Sequence, residues 1–320
     1  MFARYFVILQ YILPRFWLTS LVYRLARIRT PAIKNFLISR FVRLYKVPVD
    51  EVKLSVPDDF ETLNDFFVRE LETGARPVDK NPLAIVSPVD GLVSAAGAVS
   101  GNKIFQAKGL DYTLDDLLAT DPQEAQGYVD GSFVTIYLAP YNYHRVHAPF
   151  DGEVTAARYI PGDLFSVNAA TAAQVPGLFR RNERLVLSFR TPSGPATLIL
   201  IGALNVGSIS TPWSGEIRPR KRGVVETIEL TGAPRQVSKG DLLGWFNMGS
   251  TVIVLMPKGI CRWRADLQSD LTVQMGAAIA TVTAGIQPAS WAVTPSPISP
   301  PRPAPIPRPS AAPISACIST

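Results

Sequence analysis

The two histidines of this chain, His144 and His147, lie three residues apart in the segment Tyr-His-Arg-Val-His-Ala-Pro. Imidazole is the side chain whose ordinary pKa lies nearest to neutral pH, so it is the usual proton carrier in catalysis. Any acid–base chemistry through histidine must therefore take place at this one segment. A pair of structural histidines is the alternative, and the pair alone does not exclude it.

A second segment, residues 246–251, ends in Gly-Ser-Thr directly before an apolar run that predicts a buried strand. Gly249 has no Cβ, so its carbonyl group can be approached closely. The hydroxyl of Ser250 is a poor nucleophile until a neighbouring base removes its proton. A histidine can be that base, and a carboxylate such as Asp90 can hold the ring in one tautomer. Asp151 lies in a similar turn, so the sequence leaves open which aspartate takes this role.

The net charge of +6 comes from one end of the chain. Residues 1–49 contain nine basic side chains and no acidic one, which leaves residues 50–320 with 23 basic and 26 acidic groups. A mildly acidic body with a basic end is not the pattern of a general nucleic-acid binder. Cys261 and Cys317 are far apart and show no metal-ligand spacing, so we expect no disulfide framework and no metal site.

Residues 1–48, here called the basic arm, carry apolar and aromatic side chains at helical spacing. Pro14 and Pro31 divide the arm into three short predicted helices. No apolar run approaches the roughly 18 residues that a membrane-spanning helix needs. The aromatic and arginine side chains suit the headgroup region of an anionic membrane, so we expect the arm to lie in the membrane surface.

Three alternatives for the basic arm are a transit peptide, a secretory signal and a helical cap packed on the core. The first two are disfavoured because no small-residue cleavage site follows Leu13 and the amphipathic pattern continues to Leu44.

The pattern of residues 49–285 is different and predicts short strands separated by turns. A helix is predicted over residues 62–71, and Thr113 begins a capping box that opens another. Three turns with proline early and glycine at an expected positive φ each enter a predicted strand, at residues 88–93, 149–154 and 212–217. The clearest predicted strands are residues 133–138, 185–190, 197–204, 224–230 and 251–255.

These elements predict an α+β fold, with a mainly antiparallel β core like a sandwich or barrel and an N-terminal layer of short amphipathic helices. Residues 286–320 are rich in proline and predict a disordered tail. The expected units are therefore the basic arm, a catalytic β-rich domain over residues 49–285, and the tail.

Several segments, in this order, closely resemble phosphatidylserine decarboxylase of the short, bacterial type. They are residues 87–91, 143–147, 161–168, 181–184 and 248–251. The likeness runs from residues 10–14 to about residue 279 and leaves out the proline-rich tail. The Leu-Gly-Ser-Thr motif of that family is Met-Gly-Ser-Thr here, which keeps the pair of Gly249 and Ser250 intact.

The resemblance implies a proenzyme that cleaves itself between Gly249 and Ser250. In the family, the counterparts of Asp90, His147 and Ser250 form the self-cleavage triad, and Ser250 becomes a covalent pyruvoyl group, the Schiff-base site for the substrate amine. The counterpart of His144 is tied to decarboxylation, where we expect it to donate a proton. The pyruvoyl carbonyl takes up electrons as a pyridoxal cofactor would, and no metal is implied.

The implied substrate is phosphatidylserine in the bilayer and the implied product is phosphatidylethanolamine. Residues 1–249 and 250–320 would form a heterodimer, with a higher homo-oligomer left open, at the cytoplasmic face of an anionic cell membrane. The expected substrate contacts are Phe165, Ser166, Asn168 and Arg145. A surface salt bridge is the alternative role of Arg145.

Two other functions remain open at this point. A membrane-associated serine hydrolase would use Ser250, His147 and Asp90 on an external substrate and leave the chain whole. A non-enzymatic membrane-surface protein would need both histidines only for its structure. Neither accounts for the several motifs together, and the sequence does not divide the roles of His144 and His147.

Overall fold

The computed structural model describes residues 2–107, 109–119, 122–205 and 208–283, so the predicted proline-rich tail lies outside the described residues. The helices are α1 (Phe2–Ile12), α2 (Arg15–Leu25), α3 (Pro31–Tyr45), α4 (Leu63–Phe67), α5 (Leu114–Leu118), α6 (Pro122–Gln126), α7 (Ala169–Ala172) and α8 (Leu178–Arg181).

The strands of the described residues follow in chain order. They are β1 (Ala84–Val86), β2 (Gly91–Ala98), β3 (Lys103–Ala107), β4 (Leu110–Thr113), β5 (Ser132–Leu138), β6 (Arg145–His147), β7 (Gly152–Ile160), β8 (Arg184–Thr191), β9 (Gly194–Ile201), β10 (Ile209–Thr211), β11 (Gly215–Ile217), β12 (Glu226–Ile228), β13 (Gln236–Val237), β14 (Leu242–Phe246), β15 (Ser250–Met256), β16 (Cys261–Trp263), β17 (Thr272–Val273) and β18 (Ala278–Val282).

A nine-stranded sheet in the order β12-β7-β8-β9-β15-β5-β2-β17, with β13 beside β7, forms the main layer. A four-stranded sheet, β11-β10-β14-β6, and a three-stranded sheet, β1-β18-β16, accompany it, and β3 pairs with β4. The strand pairs are antiparallel, which confirms the predicted α+β class. β15 is buried along its whole length between β5 and β9, as its apolar run predicts.

The basic arm forms three helices, as predicted from its prolines. Pro14 directly precedes α2 and Pro31 is the first residue of α3, a position where the missing N–H costs little. In the described part of the chain, no single helix is long and apolar enough to cross a membrane. The pair α1 and α2 passes that test of length and composition only together, with a bend of 93° between them.

Three predicted elements are shorter than expected, and one of them, the strand predicted over residues 224–230, spans only Glu226–Ile228. The helix predicted over residues 62–71 ends at Phe67, because the following residues pair instead with residues 51–53 through backbone hydrogen bonds. The strand predicted over residues 197–204 ends at Ile201, because the next residues turn toward Phe165 and bond with it. Long-range pairing thus outweighs local propensity at both places. The helix predicted after Thr113 is present, and the threonine side chain caps it.

The three similar turns enter β2, β7 and β11, as predicted. A positive φ is found only at Gly215 (+64°), so that expectation was wrong for Gly91 and Gly152. At those two positions an added Cβ would lie 2.5 Å and 2.8 Å from a carbonyl oxygen of the neighbouring strand. Glycine is required there because two backbones approach closely.

We predict that Gly91→Ala destabilises the fold by about 1–3 kcal/mol, because the new methyl group overlaps the carbonyl oxygen of Tyr137 and one strand must shift. Gly127→Ala is the matched control, since its Cβ would meet only one carbonyl oxygen at 3.3 Å. Chemical unfolding of both variants measures the difference. Equal free energies of unfolding would show that the close approach at Gly91 carries no constraint.

Candidate active site

The peptide bond between Gly249 and Ser250 lies where the chain passes from one sheet to another. β14 belongs to the four-stranded sheet and ends at Phe246, whereas β15 belongs to the nine-stranded sheet and begins at Ser250. Only three residues, 247–249, connect the two strands. Because both strands are fixed by their sheets, this short link has little freedom of conformation.

Asn247 anchors the first residue of the link. Its side-chain nitrogen donates to the hydroxyl oxygens of Ser208 at 2.7 Å and Ser210 at 2.9 Å, and its oxygen accepts from Asn64 at 3.2 Å. The backbone N–H of Asn64, on α4, donates in turn to the carbonyl of Ala26 just after α2. The link is therefore held both by the sheets and by the N-terminal helices.

The two residues before Ser250 have positive φ angles, +147° at Met248 and +28° at Gly249. A side chain such as that of methionine disfavours this region, at a cost of order 1–3 kcal/mol. An added Cβ on Gly249 would meet nothing within 4 Å, so its backbone angle, and not lack of space, requires glycine there. Strain is thus concentrated on the acyl side of the peptide bond.

Ser250 is fully buried, and its Oγ has no hydrogen-bond partner. Most buried hydroxyl groups in proteins are hydrogen-bonded, so the unpaired hydroxyl of Ser250 needs an explanation. Its backbone pairs with Leu138 of β5, which fixes the position of the Cα atom. The structure therefore holds an uncommitted nucleophile next to a strained carbonyl.

His147 is held at both ring nitrogens. Its Nδ1 lies 2.7 Å from the carbonyl oxygen of Gly240, and its Nε2 lies 3.0 Å from the hydroxyl of Tyr143. A carbonyl oxygen only accepts, so Nδ1 carries the proton and Nε2 accepts from Tyr143. Burial lowers the pKa of His147, so the ring is neutral at neutral pH and its Nε2 can act as a base.

The carboxylate of Asp90 is buried and bound to the guanidinium group of Arg76, at 2.9 Å from Nε and 2.7 Å from Nη2. It also accepts from the backbone N–H of Met275 at 2.8 Å. Asp90 thus acts on His147 through its charge, which tends to raise the pKa of the ring, while the Gly240 carbonyl holds the tautomer.

Asp151, the other candidate for this role, is exposed and accepts from the backbone N–H of Lys239 at 2.7 Å. Of the two aspartates, only Asp90 is among the charges that act on the His147 pKa.

His144 is fully buried, and its ring packs on Phe67 of α4 with the centroids 4.1 Å apart. Its Nδ1 donates to the carbonyl of Asn142 at 2.8 Å, while its Nε2 has no partner. Burial lowers the pKa of His144 to about 3, so the resting ring is neutral. The free Nε2 can therefore accept a proton, and it has a proton to donate only after it has accepted one.

His147 is the last residue of β6, which spans Arg145–His147, and His144 directly precedes this strand. Their rings accordingly have separate environments, and no hydrogen bond joins either of them to Ser250. The side chain of Arg145 donates to the carbonyl of Val68 at 2.9 Å and pairs with Glu70 at 3.1 Å. This is the salt bridge that the sequence left open as its alternative role.

Three of the predicted substrate contacts lie within residues 161–168, here called the substrate loop. Phe165 is buried and its backbone N–H donates to Asn182 at 3.0 Å. Ser166 donates its N–H to the side chain of Gln10 at 2.8 Å. Asn168 caps α7 by accepting from Thr171.

Sequence reasoning missed several residues that hold this site. Arg76 and the carbonyl of Gly240 carry no local signal, because each acts on a residue at least 14 positions away. Arg69 is buried, donates to the carbonyl of Tyr141 at 3.0 Å, and has its pKa lowered to about 10 by burial. A charged residue directly after the apolar residues 66–68 was the one available sign of it.

No group of three or more His, Cys, Asp or Glu side chains that could hold a metal ion occurs within the described ranges. The neutral rings of His144 and His147 and the unpaired hydroxyl of Ser250 are groups that suit proton transfer and nucleophilic attack.

Comparisons with known proteins agree on one family. A family model described as phosphatidylserine decarboxylase matches residues 63–281, and one described as PSD matches residues 5–46. The phosphatidylserine decarboxylase proenzyme of Methylococcus capsulatus is 45% identical over 271 residues, 85% of this chain and 94% of that protein. The proenzymes of Hahella chejuensis and Saccharophagus degradans are 42% and 43% identical, each over 86% of this chain and over 93% and 96% of their own lengths.

The lowered pKa of His144 predicts a pH dependence of stability. The unfolded chain binds a proton at this residue below about pH 6.5, whereas the folded chain does so only near pH 3. The contribution of His144 to the free energy of unfolding is therefore complete above about pH 6.5. It is lost as the pH falls from there toward pH 3, by about 1.4 kcal/mol per pH unit. The lowered pKa of His147 acts in the same direction.

Chemical unfolding measures this slope from about pH 6 to about pH 4. The chain used carries Ser250→Ala, so that its backbone stays uncut, as in the structure. Adding His144→Asn should remove about 1.4 kcal/mol per pH unit from it. An unchanged slope would mean that His144 is not held neutral by burial.

Proposed function

The chain belongs to the phosphatidylserine decarboxylase family, and we propose that it generates its own catalytic group by breaking the peptide bond between Gly249 and Ser250. Family membership makes it a self-processing enzyme that decarboxylates phosphatidylserine. The single observation that carries the proposal is the buried, unpaired hydroxyl of Ser250 beside a strained peptide.

In the proposed cleavage, the Oγ of Ser250 attacks the carbonyl carbon of Gly249. The amide C–N bond breaks, an ester forms, and the hydroxyl proton ends on the amine of Ser250. Elimination then removes the proton from the Cα of residue 250, breaks the bond between Cβ and Oγ, and leaves Gly249 with a free carboxylate. Water converts the resulting dehydroalanine into ammonia and a pyruvoyl group. The strain at Met248 favours the first step, because it is relieved when the link is cut.

His147 is the proposed base for this attack. Its Nε2 carries no proton and is available once the hydrogen bond from Tyr143 is exchanged for one from the nucleophile. The carbonyl of Gly240 keeps the proton on Nδ1, and the charge of Asp90 stabilises the imidazolium that forms. These two groups together do what the sequence assigned to the aspartate alone.

The residues around Ser250 fit a pyruvoyl group. The Oγ of Ser250 has no hydrogen-bond partner, so its loss in the conversion breaks no hydrogen bond. Such a group supplies an electrophilic carbonyl that accepts the substrate amine and takes up the electrons left by CO2. His144 can take a proton from the amine at its free Nε2 and return it to the product. Phe67 covers the His144 ring and keeps water from it.

The two cleavage products would stay together as a heterodimer. Residues 250–320 include β15, which is paired on both sides with β5 and β9 of the large chain. They also include β17 and β18, which pair with β2 and β1. The cut therefore removes one link and leaves these strand pairings in place.

The basic arm would bind the anionic, cytoplasmic face of the membrane. Most of the large apolar side chains that are exposed in the described residues lie on α1, α2 and α3; they include Tyr5, Phe6, Ile8, Leu9, Tyr11, Ile12, Trp17, Leu21, Leu25, Ile33, Phe36, Leu44 and Tyr45. Six of the nine basic residues of the arm are also exposed, namely Arg4, Arg24, Arg29, Arg40, Arg43 and Lys46. This surface suits a substrate that is itself a bilayer lipid.

A serine hydrolase acting on an external substrate is the weaker alternative. Ser250 is fully buried in the uncut chain, so an external substrate has no access to this position until the link before it has been cut. Attack within the chain needs no such access.

We predict that Ser250→Ala abolishes self-cleavage and that His147→Ala slows it by about 10²–10⁴-fold, the usual contribution of a general base. Asp90→Asn should slow it as well, whereas Asp151→Asn, its matched control, should not, because Asp151 is exposed and does not act on His147. A time course on denaturing gels measures each rate. Cleavage of the His147→Ala chain at the wild-type rate would eliminate this residue as the base.

For the membrane surface, we predict that Leu9→Gln with Ile12→Gln weakens sedimentation with anionic vesicles at least about tenfold, since two exposed apolar side chains no longer enter the bilayer. Val224→Gln with Val225→Gln is the matched control, because these side chains are exposed outside the arm. The same loss in both pairs, or none in the arm variant, would contradict a role of the arm in membrane binding.

A further inference from the structure

The substrate loop is held by residues of α1 and α2, which lie about 150 positions earlier in the chain. Gln10 is fully buried, although it lies on a helix whose neighbouring residues are mostly exposed. Its Oε1 accepts from the backbone N–H of Ser166 at 2.8 Å, and its Nε2 donates to the hydroxyl of Thr171 at 3.2 Å. One side chain thus bonds the loop and the helix α7 that follows it.

The bond to Thr171 extends to a predicted substrate contact. The Thr171 hydroxyl donates to the side-chain oxygen of Asn168 at 3.0 Å, and its backbone N–H donates to the same oxygen at 2.9 Å. Gln10 therefore fixes Ser166 directly and orients the amide of Asn168 through one intermediate hydroxyl.

Phe165 is fixed by the same two helices. The guanidinium group of Arg15 lies 4.0 Å above its ring, and the ring of Tyr11 packs edge-on at 5.1 Å. Arg15 also forms two hydrogen bonds with the carboxylate of Asp163, at 2.9 Å and 2.7 Å, and another with the carbonyl of Gln10. Three of the expected substrate contacts, Phe165, Ser166 and Asn168, are thus all held from the arm.

The opposite face of α1 is exposed and apolar, with Ile8, Leu9 and Ile12 between 48% and 77% exposed. One short helix therefore presents apolar side chains outward and hydrogen-bonds the substrate loop inward. Burying a polar glutamine is costly unless both of its ends are bonded, and here both ends are bonded to the loop region. An arm that served only as an anchor would need no such side chain.

We propose that Gln10 and Arg15 are positioning residues that hold the substrate loop against the membrane-facing helices, so that the arm shapes the headgroup site as well as attaching the protein to the bilayer. This inference rests on the proposed function, since it takes the loop as the place where the lipid headgroup binds. Substitutions on the inward face of α1 should then affect turnover of a soluble substrate, and substitutions on its outward face should affect membrane binding.

Gln10→Leu tests the inward face, because leucine fills the buried space but forms neither hydrogen bond. We expect kcat/KM for a short-chain, soluble phosphatidylserine to fall about tenfold or more, mainly through KM, since a partly buried backbone donor of the loop is left unpaired. Self-cleavage and sedimentation with anionic vesicles should be unchanged. Leu9→Gln with Ile12→Gln should give the reverse result, with vesicle binding lost and turnover of the soluble lipid retained.

Gln106→Leu is the matched control. Gln106 is also fully buried and bonded at both ends, but to residues 172, 175 and 178, beyond the loop. We expect this change to lower the Tm and leave the KM for the soluble lipid unchanged. A charge exchange gives a second test: Arg15→Asp should raise the KM, and Arg15→Asp with Asp163→Arg should restore most of it.

A Gln10→Leu enzyme with a lowered Tm and a wild-type KM for the soluble lipid would overturn the inference, since Gln10 would then be structural only. Failure of the charge exchange to restore the KM would count against the Arg15 part. Failure of the proposed function itself would appear differently, as a wild-type protein that releases no CO2 from either lipid.

Discussion

The fixed position of Ser250 at the start of a fully buried central strand is the constraint on which the rest of the structure depends. β15 is paired on both sides, so the Cα of Ser250 cannot move far, and the anchored Asn247 holds the other end of a three-residue link. The link that joins the two sheets over this short distance has a strained angle at Met248 and a positive φ at Gly249. A free hydroxyl and a strained carbonyl are thereby kept together by the fold itself.

Burial sets the chemistry of the groups nearby. It keeps both His144 and His147 neutral, so each ring offers an unprotonated Nε2 where a base is needed. The same low-dielectric interior would make an unpaired carboxylate costly, and Arg76 compensates the charge of Asp90. The helix α4 completes this interior, because Phe67 covers His144 and Asn64 bonds the link before Ser250. The backbone N–H of Asn64 bonds the carbonyl of Ala26, so α4 also connects the site to the arm that we propose for the membrane surface.

The sequence predicted what depends on local pattern. The prolines of the arm marked its helices, the apolar run after Ser250 marked β15, and the scarcity of histidine pointed to His144 and His147. It could not predict contacts between residues far apart in the chain. The carbonyl of Gly240 that holds His147 lies 93 positions away, and Gln10 lies 156 positions from the backbone that it bonds. Such partners follow no periodic pattern in the sequence. On an amphipathic helix, the sequence does not distinguish a buried glutamine from an exposed one.

The central claim is that the chain breaks its own backbone and converts Ser250 into the catalytic group. Intact-mass measurement of the purified wild-type protein, with analysis of the new N-terminus, tests it most directly. The account predicts two polypeptides in place of one of 34.9 kDa, the smaller one beginning at position 250 and lacking an N-terminal amine. A single uncut chain that still releases CO2 from phosphatidylserine would contradict it.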